Sequence, residues 1–184
     1  MSYRSKGTLN FLKVTNLAGD YHTAGRLRAF SPLYMMAQNP LAMFDELKKY
    51  KHNDHFFLTP KTELADVCNA PTNKSGVFLV YELKNHRIDL VYIGSSGKLQ
   101  SNGRIKHRKG GLYDEIVNGH EPGEPPRKKY WKQRMIDEKI EALDIYWYNT
   151  FDPANREIPL HAQAILMQRV YDVLGRLPRW NKEL

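Results

Sequence analysis

The stretch from Gly76 to Arg108, GVFLVYELKNHRIDLVYIGSSGKLQSNGRIKHR, constrains the fold more than any other part of this chain. Two runs rich in β-branched and aromatic residues, Gly76 to Leu83 and Ile88 to Ile93, flank the polar insert Lys84-Asn85-His86-Arg87. Gly94-Ser95-Ser96-Gly97 stops the second run, so the segment predicts a β-hairpin. Beyond it, Ser101-Asn102 supplies short polar side chains that can cap the free N–H groups of a helix start, and such a helix would carry Arg104 close to the end of the hairpin.

The elements that follow are marked by their breakers. Gly110-Gly111 precedes a short helical pattern over Leu112 to Val117, and the Gly- and Pro-rich run from Asn118 to Pro126 predicts an exposed loop. A basic helix is expected from about Arg127 to Glu141, then a third strand over Leu143 to Phe151. Pro159 opens a last helix that Gly175 closes. Upstream, Asn39-Pro40 predicts a helix from about Pro40 to Lys51 whose stripe Leu41, Phe44, Leu47 and Lys48 could dock on the rest of the chain, a second subunit or DNA. Thr59-Pro60 starts another short helix, which must end before Pro71. The expectation is an α/β (α+β) fold: a small, mainly antiparallel three-stranded sheet flanked by helices in residues 76–184, preceded by a partly helical N-terminal extension, residues 1–75.

Charge narrows the partners. The chain carries 28 Lys and Arg against 20 Asp and Glu, a formal charge of +8 that attracts polyanions. Two clusters concentrate it: Lys98, Arg104, Lys106, Arg108 and Lys109, then Arg127, Lys128, Lys129, Lys132 and Arg134, with no acidic residue inside either. This is the footprint of a phosphate-backbone binder, although an isolated basic cluster is more often a solvated face. No run approaches the roughly 18 to 20 apolar residues of a membrane span. The polar start Met1-Ser2-Tyr3-Arg4 lacks a signal peptide's apolar region, and the single Cys68 excludes an internal disulfide, so a cytoplasmic setting is expected.

Gly76-Val77-Phe78 and Tyr92-Ile93-Gly94, on paired strands and followed by Arg104, resemble the signature of the GIY-YIG nuclease family. The resemblance spans about residues 76–181. It implies a GIY-YIG-like fold, Mg²⁺ or another divalent cation such as Mn²⁺, and cleavage of double-stranded DNA, with a restriction-type endonuclease as the nearest analogy. In the implied mechanism Tyr92 and the residue at position 78 poise a water, Arg104 offsets the developing charge, and a metal held from position 163 stabilises the leaving oxygen. His107 stands three residues after Arg104, whereas the family's histidine more often stands four after, where this chain has Arg108. Asn181, in the tail Arg179-Trp180-Asn181, resembles the family's closing aromatic-Asn element and joins the DNA-contacting candidates.

Two positions depart from that pattern. Phe78 lacks the hydroxyl of the usual tyrosine, and Gln163, falling in an apparent inward stripe with Leu160, Met167, Val170 and Leu174, replaces the metal-binding glutamate. An amide keeps the carboxylate's shape without the charge that a hard cation favours. Tyr81 would take the role of Phe78 only if a bulge changed its face, since strand alternation puts the two on opposite sides. These departures suit either a divergent member that only binds DNA or an active nuclease altered at these positions. A non-catalytic DNA-binding protein on a nuclease scaffold and a protein-interaction module that dimerises through the N-terminal extension are therefore the competing readings.

Overall fold

In this computed structural model, residues 43–183 are described. Four antiparallel strands form the main sheet in the order β1-β6-β2-β3: β1 Asn53–Leu58, β2 Gly76–Lys84, β3 Arg87–Ser96 and β6 Ala142–Asn149. The sheet thus has four strands rather than three, because β1, from the segment read as an extension, pairs with β6 from Asn53↔Tyr148 to Leu58↔Leu143. Its short sequence NDHFFL buries only Phe56 and Leu58, too weak an alternation to mark an edge strand in advance.

The hairpin of β2 and β3 turns on Asn85 and His86, both at positive φ (51° and 60°), the backbone that two-residue hairpin turns require. Val80 pairs with Tyr92 while Tyr81 pairs with Leu90, leaving Val91 as the extra residue of a bulge. Because this bulge lies on β3, it leaves Tyr81 on the face opposite Phe78. Strand β2 is buried on both sides. Phe78 and Val80 join a core with Tyr92, Leu112, Trp131 and Trp147, whereas Val77, Leu79 and Tyr81 join Ile93 and residues of the last helix.

Helices cover each face. After the short α1, Leu64–Val67, come α2, Gly111–Asn118, and α3, Arg127–Asp137, which supply Leu112, Ile116, Trp131 and Met135 to the first core. The second face takes α4, Pro159–Leu174, through Ala162, Leu166, Met167 and Val170, and Gly175 ends that helix in the left-handed region. Leu160 is not on this inward stripe but 59% exposed, because the buried face runs through Ala162 and Leu166. In place of the long helix expected from Pro40 to Lys51, of which residues 40–42 lie outside the described residues, there is a 3-10 turn at Asp45–Lys49. Its neighbours Phe44, Leu47 and Tyr50 dock on the α4 core, so this apolar stripe is spent within the chain.

The helix expected to carry Arg104 is absent. Lys98–Leu99 (β4) and Ile105–Lys106 (β5) instead pair as a short antiparallel ribbon outside the main sheet. Asn102 does use its side chain on a free backbone donor, as a cap would, but the donor is the N–H of Arg104 in a turn. Among the described residues no helix is long and apolar enough to cross a membrane.

Gly76 tests the tightness of the sheet centre. A methyl there would collide with the carbonyl oxygen of Tyr148 and stand 2.9 Å from the backbone nitrogen of Thr150, neither of which can rotate away. Gly76→Ala is expected to lower the unfolding free energy by about 1–3 kcal/mol, read as a shift in the urea midpoint.

Candidate functional site

The fold forms two polar regions, one around Arg127 and one around the β4–β5 ribbon. The first is buried. Arg127, at the start of α3, falls on one helical face with Trp131 and Met135 and points inward with them. Its guanidinium lies 5.1 Å from the ring centre of Tyr92, 5.5 Å from that of Phe78 and 5.8 Å from that of Trp131. It donates to the Tyr92 hydroxyl (2.7 Å), to Glu121 (2.9 Å) and to the side chain and carbonyl of Glu115 (3.0 and 2.5 Å). Tyr92 in turn donates to Glu121 at 2.6 Å.

This knot is electrostatically closed. Burial works against the Arg127 charge, but Tyr92, Glu115 and Glu121 together hold its pKa above the ordinary value. Burial is also the largest cause that pushes the Tyr92 hydroxyl up, so the phenol stays protonated. Glu121 comes from the loop between α2 and α3, which therefore lies over the hydroxyl.

The second region is open and basic. The β4–β5 ribbon separates two grooves of about 780 and 760 Å³. Asn73, Lys74, Arg104, Asp152 and Arg156 line the first; Ser95, Lys98, Lys106, Arg108 and Glu115 line the second; Leu99, His107 and Ile158 belong to both. His107 Nδ1 shares a 2.7 Å hydrogen bond with Ser75 Oγ, which anchors the exposed imidazole to a buried side chain. The carboxylates on these walls are already engaged. Asp152 accepts the backbone N–H groups of Ala154 and Asn155, and Glu115 pairs with Arg108 and Arg127.

The candidates from sequence therefore separate. Arg104 and His107 share the first groove. Gln163 sits behind the second, where its amide oxygen accepts the Ser95 hydroxyl at 2.5 Å and its nitrogen donates to the Ile93 carbonyl at 3.3 Å. Phe78 and Tyr92, with rings 5.8 Å apart, lie in the first core and line neither groove. Tyr81 is buried on the other face, its ring edge-on to Tyr146 and its hydroxyl without a partner among the described residues. Asn181 spends both ends of its amide on the backbone of Ile93, so it fastens the C-terminal tail to the edge of β3 instead of projecting toward a ligand.

The basic clusters divide likewise. Lys98, Arg104, Lys106 and Lys109 are exposed and have no carboxylate partner among the described residues, while Arg108 pairs with Asp114 and Glu115. On α3, Lys128 and Lys129 are exposed, but Lys132 pairs with Glu63, and Arg134 pairs with Glu138 and stacks 4.7 Å from the Trp180 ring centre. Glu157 receives the Tyr50 hydroxyl at 2.5 Å and pairs with Lys49, so it locks the 3-10 segment to the chain before α4.

A divalent cation does not suit these donors. The amide at position 163 is committed at both ends, the groove carboxylates are engaged, and among the described residues no group of three or more His, Cys, Asp and Glu forms. Sequence reading had missed the structural role of Arg127, although its four-residue spacing to Trp131 and Met135 carried the signal. Lys74 and Arg156 were missed because isolated cations in loops have no pattern.

Compared with known proteins, the chain matches no family model, no curated protein and no solved structure.

The two arginines should behave oppositely. Arg127→Met strips Glu121 of its buried charge partner, leaves Glu115 with Arg108 alone, and is expected to cost about 3–5 kcal/mol of stability. Arg104→Ala, on the exposed turn, should stay within about 0.5 kcal/mol. Urea denaturation of both variants measures the contrast.

Proposed function

We propose that the chain binds double-stranded DNA through the two basic grooves, on a scaffold of the endonuclease type that the GIY-YIG resemblance implies. The observation that carries this reading is the cation arrangement: Lys74, Lys98, Arg104, Lys106 and Arg156 line the two grooves, and none has a carboxylate partner among the described residues. Unpaired cations lining grooves of this size are suited to a run of phosphates, whose counterions they would release on binding. Arg104 provides a fork that can hold one phosphate in two places. His107, held through Ser75, adds a polar ring to the same groove. A cytoplasmic setting, with access to DNA, agrees with this reading.

Cleavage of the bound strand is the second reading. It is favoured by one observation: the two signature tripeptides lie on paired strands and meet at one position, where Phe78 pairs with Gly94. Against it stand the missing hydroxyl at position 78, the neutral amide at position 163 and the burial of the Tyr92 hydroxyl. Magnesium or manganese belongs to this reading through a carboxylate at position 163, and a homodimer through the N-terminal extension, residues 1–75, would suit cutting of both strands.

Binding to a 30-base-pair duplex is expected to weaken steeply with salt, and Lys98→Ala with Lys106→Ala should reduce the log–log salt slope by about two. On supercoiled plasmid with Mg²⁺, the chain as it stands should leave the DNA intact. A Phe78→Tyr, Gln163→Glu version that nicks the plasmid would establish the endonuclease reading. Salt-insensitive binding, or none at 150 mM salt, would refute the DNA assignment.

A further inference from the structure

We infer that the β4–β5 ribbon enters the major groove of duplex DNA and touches base edges, while the two grooves beside it receive the two flanking phosphate backbones. The inference rests on the DNA-binding reading and adds to it which element goes into which groove of the duplex. It starts from the shape of the ribbon. Lys98 pairs with Lys106 and Leu99 with Ile105, and the turn closes through hydrogen bonds from Gln100 N to Arg104 O (2.9 Å) and from Gly103 N to Gln100 O (3.0 Å). Gly103 sits at φ +75°, a backbone that L side chains rarely adopt, so the turn is tight and its tip narrow.

The ribbon is unfavourable for a free protein. Residues directly opposite in an antiparallel pair share a face, which sets the ammonium groups of Lys98 and Lys106 on the same side, and like charges in that position destabilise the pair. Neither forms an ion pair among the described residues, and Glu115, on the wall of the same groove, is taken by Arg108 and Arg127. Phosphates would relieve the repulsion. On the opposite face Ile105 is buried against the body, while its cross-strand neighbour Leu99 is 47% exposed.

Dimensions favour one groove of the nucleic acid. The B-form major groove, about 12 Å wide, admits a two-stranded ribbon, whereas the minor groove, about 6 Å wide, does not without deformation. The major groove of duplex RNA is too narrow and deep for side chains to read. A ribbon seated in the major groove has a phosphate backbone on each side. The protein presents a cationic groove on each side of the ribbon, with Lys98 and Lys106 on one and Lys74, Arg104 and Arg156 on the other.

The tip carries the chemistry of base recognition. Gln100 and Asn102 are exposed amides, the type that pairs with the N6 and N7 edge of adenine. Asn102 uses its oxygen on the Arg104 N–H at 2.9 Å, which fixes the side chain and leaves its amino group to donate outward. Leu99 offers an apolar surface for a thymine methyl group.

The test uses the full chain and DNA whose major groove has been filled without a change in charge. A 30-base-pair duplex containing glucosylated 5-hydroxymethylcytosine is compared with the unmodified duplex, and netropsin serves as a minor-groove competitor. The account expects at least a tenfold loss of affinity for the glucosylated duplex, no displacement by netropsin, and weak binding to duplex RNA of the same sequence. Gln100→Ala with Asn102→Ala should retain the salt slope and lose preference among base sequences. Equal affinity for plain and glucosylated DNA, or displacement by netropsin, would overturn the ribbon assignment and leave DNA binding standing. Failure to bind any duplex would overturn both.

Discussion

A central strand that is apolar on both faces has to be covered on both, and this requirement organises the molecule. From Val77 to Tyr81 every β2 side chain is buried, alternating between two cores. Helices α2 and α3 must therefore close one face, and α4 with the 3-10 segment the other. With the sheet enclosed, the chain between β3 and α2 packs Ile105 against the body and carries its lysines and arginines outward as the basic ribbon, with a groove on each side. The proposed DNA interface follows from what the core leaves outside.

The same enclosure explains the fate of the tyrosine at position 92. The β3 bulge places Val91 and Tyr92 together in the first core, so the phenol extends under the loop from Gly119 to Pro126 instead of toward the ribbon. Its hydroxyl needs partners there, and Arg127 and Glu121 supply them. Arg127 is buried because aromatic rings surround it and two carboxylates balance it, an arrangement in which removal of any one partner leaves a charge or hydroxyl stranded. The knot therefore ties α2, α3 and β3 into one unit; Tyr92, Glu121 and Arg127 line neither groove, while Glu115 reaches the wall of the second and pairs there with Arg108.

Much of this was legible in the chain. The hairpin limits, the helix at Pro159 with its Gly175 stop, the α3 start after Pro126 and the exposed loop before it each follow from local chemistry that acts over a few residues. The failures have a common cause in long-range contacts. Ser101-Asn102 has the chemistry of a helix cap, but it closes a turn, because Lys98–Leu99 finds Ile105–Lys106 as a strand partner. Strand β1 exists through its pairing with β6, more than 80 residues away, and nothing in NDHFFL alone announces that partner. The basic run from Arg127 to Arg134 reads as one solvated face, yet the fold divides it into a buried organiser, two ion-paired cations and two exposed lysines. Gln163 was expected to face a metal, but Ser95 and Ile93 claim both ends of its amide. The open basic grooves themselves could not be read in advance, since Lys74 and Arg156 come together only in the folded chain.

The most direct measurement of where this protein meets DNA is amide hydrogen exchange with and without a 30-base-pair duplex. Slowed exchange confined to the ribbon and the groove walls, residues 97–109 and 151–158, with no change over residues 119–134, is the result predicted here. Protection centred on residues 119–134, with the ribbon exchanging as in the free protein, would contradict the account.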